Sequence, residues 1–377
     1  MEKLQRREWL KQGSLLLAGF SLAGNVMGRG RNGFEFDEEK TARDFIKLSS
    51  NENPYGPSPL ARQAMAEAVV SSNRYPWQVT DLLRKKIGNL FGLDENHVLM
   101  GAGSSEILGT VAAFAGRNGT KGNAISPHPT FRLWWQAAES FGLSIKKVPL
   151  TDDKKVNTQT LLAAMDENTR LFYICNPNNP TGTIIPDEEL RRCIEIASQK
   201  TMVLLDEAYT EYSDEPSMAK MVASNKNLVV AKTFSKIHGM AGARAGYALA
   251  HPDTIKQLAG FQPWANAGVS AVSLAGALAS LDDKAFIQQC RTKNDAARSH
   301  TIANLEAMRI PVIPSHTNFI YYQVAAFKGD FPKAINDATM SAVRVFEDEG
   351  KWYRTSIGTM EEMKVFLEKV KTTISAR

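Results

Sequence analysis

Thr233-Phe234-Ser235-Lys236-Ile237-His238-Gly239-Met240-Ala241-Gly242-Ala243-Arg244-Ala245-Gly246-Tyr247 follows, after Lys232, on the apolar run Leu228-Val229-Val230-Ala231. The run reads as a short buried strand, and Tyr247–Ala250 reads as the next one. Between them lies a Gly/Ala-rich loop that opens on Ser-Lys and carries an arginine eight residues after the lysine. A lysine after a strand is usually a solvated charge. Held at the mouth of a site, its amine can form a Schiff base with a carbonyl. Ser235 and Arg244 would then grip an anionic group on the same ligand.

Three other loops decide between these readings. After Leu171-Phe172-Tyr173-Ile174-Cys175 comes Asn176-Pro177-Asn178-Asn179-Pro180-Thr181-Gly182. The prolines and glycine stiffen that loop and fix its asparagines, although an Asn/Pro/Gly cluster is also simply a turn. After Met202-Val203-Leu204-Leu205 comes Asp206-Glu207-Ala208-Tyr209. A carboxylate at the end of a buried strand is costly unless it is paired, although an aspartate there also serves as a helix N-cap. Gly101-Ala102-Gly103-Ser104-Ser105-Glu106 enters a helix, and backbone N–H groups at such a helix start suit a phosphate.

The segments around these loops set the architecture. Helical periods are expected over Ser104–Gly116, Thr130–Phe141 and 187–200. Strands are expected at Asn123–Ser126, Ile145–Pro149, Leu171–Cys175, Met202–Leu205, 228–232 and Tyr247–Ala250. Such alternation predicts an α/β fold with a mostly parallel sheet covered on both faces. A long helical stretch at about 283–309 then leads to Asn318–Val324, Val343–Phe346, Arg354–Ile357 and a closing helix from Met360. This reads as a smaller α+β layer, with residues 44–71 packed against it. The expected division is an N-terminal segment at 1–33, a large domain at 76–262, and a small domain made of 34–75 and 263–377. In such folds ligands gather at strand C-terminal ends and at the domain junction.

Taken together, the loops call for an aromatic cofactor with a carbonyl, a ring nitrogen, a phenolic oxygen and a phosphate. Lys236 takes the carbonyl and Asp206 keeps the ring nitrogen protonated. An asparagine of the loop at 176–182 and Tyr209 bond the ring oxygen. The Gly-Ser backbone at the helix start, Ser235 and Arg244 hold the phosphate. That cofactor is pyridoxal phosphate.

The motif set resembles fold-type I, class I/II aminotransferases, and within that superfamily it is most similar to histidinol-phosphate aminotransferases. Asn-Pro-Asn-Asn-Pro-Thr-Gly at 176–182, Asp-Glu-Ala-Tyr at 206–209 and Ser235-Lys236 with Arg244 stand in family order. The subgroup is carried by Ser50-Asn51-Glu52-Asn53-Pro54-Tyr55-Gly56-Pro57-Ser58-Pro59, Asn73-Arg74-Tyr75-Pro76, Met240-Ala241-Gly242 through Gly246-Tyr247, and Arg354-Thr355-Ser356-Ile357-Gly358-Thr359. The resemblance covers about residues 45–377.

It implies a mostly parallel seven-stranded sheet in the large domain, and transamination between an amino donor and a 2-oxo acid such as 2-oxoglutarate. Lys236 would move the proton. Asn179 and Tyr209 would bond the ring oxygen, Gly103, Ser104, Ser105, Ser235 and Arg244 would hold the phosphate, and Phe131 would stack on the ring. Tyr75 would reach the phosphate from a partner subunit, making the protein a homodimer. Tyr55, Asn179, Arg344 and Arg354 would meet the substrate, with Arg354 on its anionic end. Departures from the family pattern fall at Phe131, often tyrosine, at Ser105, often aspartate, at Arg344-Val345, which lacks a proline, and at the bulky Trp134-Trp135. These bear on the substrate. A lyase or racemase on the same fold, and a non-catalytic binding protein, are the alternatives.

The chain has 377 residues and 43% hydrophobic content, enough for a large domain and a smaller one. Its formal charge of +5 is unevenly placed. Residues 1–31 hold Lys3, Arg6, Arg7, Lys11, Arg29 and Arg31 against Glu2 and Glu8, a net of +4, which leaves +1 for the rest. No basic body suited to nucleic acid remains. Cys175, Cys193 and Cys290 are too few and scattered for a disulfide framework or a zinc site, and no metal is expected.

Gln5-Arg6-Arg7-Glu8-Trp9-Leu10-Lys11 precedes the short apolar stretch Gly13–Ala23 and resembles a bacterial twin-arginine export signal. Cleavage is expected between Ala23 and Gly33, and the product is expected to be periplasmic or exported. Membrane contact is expected through this signal alone. The alternatives are an amphipathic helix packed on the body or lying at a membrane surface.

Overall fold

The computed structural model describes residues 45–117, 121–347 and 350–375. The expected export signal lies outside the described residues. The strands are β1 (Ile46–Lys47), β2 (Val98–Gly101), β3 (Gly122–His128), β4 (Leu143–Pro149), β5 (Thr169–Cys175), β6 (Met202–Asp206), β7 (Leu228–Thr233), β8 (Gly246–Ala250), β9 (Val312–Ile313), β10 (Phe319–Gln323), β11 (Met340–Ser341), β12 (Arg344–Glu347) and β13 (Trp352–Ser356).

Seven of them form one sheet in the order β2-β8-β7-β6-β5-β3-β4. Neighbours from β7 to β4 run parallel, and β8 is antiparallel to both β7 and β2. The reason lies in the Thr233–Gly246 stretch. It joins β7 to β8 with no crossover helix, so the chain must return antiparallel. Lys236 therefore sits in a connection that doubles back between adjacent strands of this sheet.

Both faces of the sheet are buried, and its strands read as unbroken apolar runs. Successive side chains alternate between two cores. Phe172, Ile174, Val203, Leu205, Leu228 and Val230 face one, with Leu190, Cys193 and Ile194 of the helix Asp187–Ser198. Leu171, Tyr173, Cys175, Leu204, Val229 and Ala231 face the other, with Ile107, Leu108 and Val111 of the helix Ser104–Gly116. Val269, Leu274, Ala277 and Leu281 also join the first core. That core thus extends past residue 262 to the end of the helix Ala271–Ser280.

A third core holds the antiparallel sheet β12-β13-β10-β9 and the helices Lys284–Ala307 and Met360–Ser375. Leu48 enters this core, and β1 pairs parallel with β11. The beginning of the described chain is thus sewn to its end, while the helix Pro59–Ala68 packs on Ala271–Ser280.

The helix expected over Thr130–Phe141 is shorter, at Trp135–Ser140. Thr130 Oγ1 donates to Asn178 Oδ1 at 2.7 Å, and Trp134 Nε1 donates back to the Phe131 carbonyl at 3.1 Å. These bonds hold 130–134 in a turn and leave Phe131 beside the site.

Candidate active site

The ends of β5, β6 and β7 deliver Asn179, Asp206 and Lys236 to one place. The loop after β7 is pinned to the first described segment. Gly239 has φ +68°, and a Cβ there would stand 2.0 Å from the Gly56 carbonyl oxygen, so only glycine permits the contact. Asn53 Nδ2 donates to the Ile237 carbonyl at 2.8 Å. Lys236 Nζ then donates to the carbonyls of Ser50 at 3.4 Å and Asn51 at 3.2 Å. Burial, reinforced by the Arg354 charge, lowers this amine to about 8.

Asp206 ends β6 at 2% exposure. Its Oδ2 accepts from the Tyr173 hydroxyl at 3.2 Å and its Oδ1 from the Ala208 N–H at 3.1 Å. Burial pushes the carboxyl up to about 6, against these hydrogen bonds. A carboxylate in such a place calls for a cationic partner. Tyr209 follows; its hydroxyl accepts from Asn51 Nδ2 at 3.0 Å and Asn179 Nδ2 at 3.1 Å, and burial raises the phenol.

Asn179 has a second task, since its Oδ1 accepts from Arg354 Nη1 at 2.7 Å. Arg354 Nη2 donates to the Ser49 carbonyl at 2.9 Å, while its buried Nε has no protein partner among the described residues. Burial lowers this guanidinium to about 10. Arg344 is opposite Arg354 in the β12–β13 register and lies exposed.

At the other end stands the helix Ser104–Gly116. Its N-cap, Gly103, has φ +82° and supplies no side-chain cap, so the first N–H groups are available to an anion. Arg244 Nη2 donates to the Ala102 carbonyl at 3.1 Å, and Nη1 reaches Ser235 Oγ at 3.4 Å. The cradle is close-fitting: a Cβ on Gly103 would meet Arg244 Nη2 at 2.3 Å, and one on Gly246 would meet the Ser104 nitrogen at 2.4 Å.

Ser104, Ser105, Phe131, Asp206, Tyr209, Ser235, Lys236 and Arg244 face one cavity of about 210 Å³, as do Ser50 and Glu52. The structure does not bring every expected residue there. Tyr75 is 69% exposed and stacks on Trp77 at 5.4 Å, away from this chain's own cavity. Tyr55 packs beside Tyr209 and Phe319, under the Lys293 ammonium at 4.7 Å. Trp134, expected near the substrate, is a core residue 4.7 Å from Tyr173. Sequence reasoning missed Tyr173 and Asn51. Tyr173 was detectable by alternation: it shares its strand face with Cys175, which pairs with Asp206.

The fit to pyridoxal phosphate rests on these groups. Among the described residues a buried carboxylate has no ion-pair partner, a hydroxyl with two amide donors awaits a ring oxygen, an amine of lowered pKa is within the same cavity, and an uncapped helix start lies beside an arginine. Fold and site define a pyridoxal-phosphate-dependent transferase with an α/β core. The chain belongs to the aminotransferase class I and II family, whose model matches residues 43–370.

It is 36% identical over 290 residues to the histidinol-phosphate aminotransferase of Geobacillus sp. (strain WCH70), covering 76% of this chain and 78% of that one. A solved protein from Erwinia carotovora atroseptica SCRI1043 superposes with a TM-score of 0.82 at 32% identity, covering 89% and 97% of the two chains. The Sinorhizobium meliloti histidinol-phosphate aminotransferase, solved with pyridoxal-5'-phosphate, shares the fold with a TM-score of 0.79 at 23% identity, covering 96% and 99%.

The protein is an aminotransferase that uses pyridoxal phosphate to move an amino group between a donor and a 2-oxo acid. The cofactor supplies a carbonyl for an amine and a ring that accepts the electron pair left when a C–H bond breaks.

Proposed function

We propose that the amino donor carries an anionic end, with a phosphate monoester of the histidinol phosphate type ahead of an aromatic or other amino acid, and that 2-oxoglutarate is the acceptor. The observation that carries this reading is Arg354: it is buried, has an Nε–H without a protein partner among the described residues, and has Arg344 as its neighbour across the strands. Two guanidinium groups at one end suit a dianion better than a single carboxylate. The names of the curated relatives support the same donor.

In this reading Lys236 holds the proton in transit. Asp206 would stay ionised and pair with the ring nitrogen. Tyr209 and Asn179 would bond the ring oxygen, and Phe131 would pack on the ring. Ser104, Ser105, Ser235 and Arg244 bind the phosphate, with Gly103 leaving room for Arg244. Tyr55 contributes to the substrate wall. Tyr75 enters the site of a second copy, so the working form is a homodimer. Exposure of Tyr75, Trp77 and Trp264, whose ring centroids lie within 5.4 Å of one another, supports such a face.

A screen of amino donors with 2-oxoglutarate tests the substrate. Histidinol phosphate is expected to give the highest kcat/KM, and Arg344→Gln is expected to lower it about tenfold for that donor while changing aromatic amino acids little. Equal losses for both donor classes would overturn the phosphate assignment.

We also propose export by the twin-arginine route, on the Arg6-Arg7 pattern. Cell fractionation is expected to find the protein outside the cytoplasm and to find Arg6-Arg7→Lys-Lys retained. A cytoplasmic wild-type protein would sink this reading.

A further inference from the structure

A cluster of buried charge lies on the face of the large sheet away from the cavity, and none of the residues assigned above belongs to it. The alternation along β6 and β7 places it. Leu205 and Val230 face the first core, and Leu204 and Ala231 the second. Continued by one step, the pattern turns Asp206 to the second side and Glu207 and Lys232 to the first. Glu207 is 2% exposed and Lys232 is 3% exposed.

Their bonds gather four segments. Glu207 Oε1 accepts from the Met218 N–H at 2.8 Å, and Oε2 accepts from Ser217 Oγ at 2.5 Å and Lys232 Nζ at 3.2 Å. Lys232 Nζ also reaches Glu211 Oε1 at 2.9 Å. Phe91 flanks the ammonium at 5.9 Å, and Tyr247 pairs with Lys232 across β7–β8. His238 lies nearby, bonded to Ser280 Oγ at 2.7 Å. Backbone bonds run the same way, with the Glu207 N–H donating to the Ala231 carbonyl at 2.9 Å.

A buried ammonium between two carboxylates is a poor source of net stability, because desolvation offsets much of the attraction. What it does supply is a fixed geometry, since removing one partner strands the others. The geometry it fixes is that of the site. Glu207 is the residue after Asp206, and Lys232 precedes the Thr233–Lys236 turn by a single position.

We propose that Lys232 is a positioning residue for transamination: bound to Glu207 and Glu211, it clamps the ends of β6 and β7 from behind and holds Asp206 and the Lys236 loop at the spacing one cofactor ring must bridge. This rests on the assignment of Lys236 and Asp206 to the cofactor.

The test uses holoenzyme and three variants: Lys232→Met, Lys232→Arg, and Lys232→Met combined with Glu207→Gln. Cofactor affinity is read from the visible absorbance during titration, with the pH midpoint of that absorbance and the Tm as separate readouts. Lys232→Met is expected to weaken cofactor binding about tenfold. The midpoint is expected to move upward, because Glu207 and Glu211 lose the cation facing them while the other charges around Lys236 (Arg354, Arg244, Glu52 and Asp206) stay in place. Lys232→Arg is expected to restore both readouts, and the double variant to recover part of the affinity.

A lower Tm for Lys232→Met with unchanged affinity and midpoint would make Lys232 a stability residue only and overturn the proposal. Failure of Lys232→Arg to rescue would do the same. If Lys232→Met does not fold, the arginine and double variants carry the decision. Lys236→Ala separates the underlying assignment: persistence of its visible band removes that assignment whatever Lys232 does.

Discussion

The chemistry of Lys236 depends on which protonation state it holds when the cofactor arrives. Its amine is lowered from 10.5 to about 8, first by burial and then by Arg354. Below about 8 the ammonium dominates and cannot attack a carbonyl; above it the free amine does. Capture of pyridoxal phosphate by the apoprotein is therefore expected to accelerate from pH 7 to 9 and then level, followed by stopped-flow absorbance. Arg354→Gln is expected to move that midpoint upward, because one of the two leading causes of the shift is gone, and an unmoved midpoint would assign the whole shift to burial.

The same shift has a stability sign. The unfolded chain binds more protons at this lysine between about 8 and 10.5, so its contribution to apoprotein stability rises with pH across that window. Asp206 is opposite: raised from 3.8 to about 6, it favours the fold at low pH and loses that contribution as pH rises to about 6.

Most of the residues forming this site were legible in sequence, because lysine, aspartate and asparagine just past an apolar run are conspicuous. Tyr173 was passed over: alternation puts it on the strand face of Cys175, but a tyrosine inside a strand looks like core until register sets its hydroxyl beside Asp206.

Among elements, the helix Ser104–Gly116 and strand β8 are fitted to one another at Gly246. A methyl group there would collide with the Ser104 backbone nitrogen at 2.4 Å, and the backbone has no rotamer with which to evade it. Gly246→Ala is expected to push the helix start out of line and weaken cofactor binding at least about tenfold, measured by equilibrium titration. Gly109→Ala is the matched control. It lies in the same helix with open space around its Cβ, and is expected to leave affinity unchanged and raise stability by about 0.5–1 kcal/mol.

The alternation of strand and helix was readable for the same reason that this sheet is buried on both faces: its strands are short, apolar and separated by amphipathic periods. It failed at Thr130–Phe141, where Thr130 and Trp134 spend their polar groups on tertiary and turn bonds that no helical periodicity reveals. Pairing of β8 against β7 needed the loop length, and the core formed with Ala271–Ser280 needed three-dimensional packing.

At the scale of the whole molecule, the exposed aromatic face of Tyr75, Trp77 and Trp264 is expected to close against a second copy. Sedimentation velocity is expected to give a dimer, and Trp264→Ala to shift it toward monomer with loss of bound cofactor. A fully active wild-type monomer would contradict the two-copy site.

The described chain also closes on itself. Arg354 reaches back to the Ser49 carbonyl at 2.9 Å, Ser356 Oγ accepts from the Asn51 N–H at 2.7 Å, and Asn318 Nδ2 donates to the Asn51 carbonyl at 3.0 Å. The Asn51 side chain in turn bonds Tyr209, and its carbonyl receives Lys236. A ribosome therefore presents Lys236 long before it has made the residues that complete its surroundings. The finished pocket is a property of the whole polypeptide, and a message truncated before codon 354 is expected to yield a protein with Lys236 but without this enclosure.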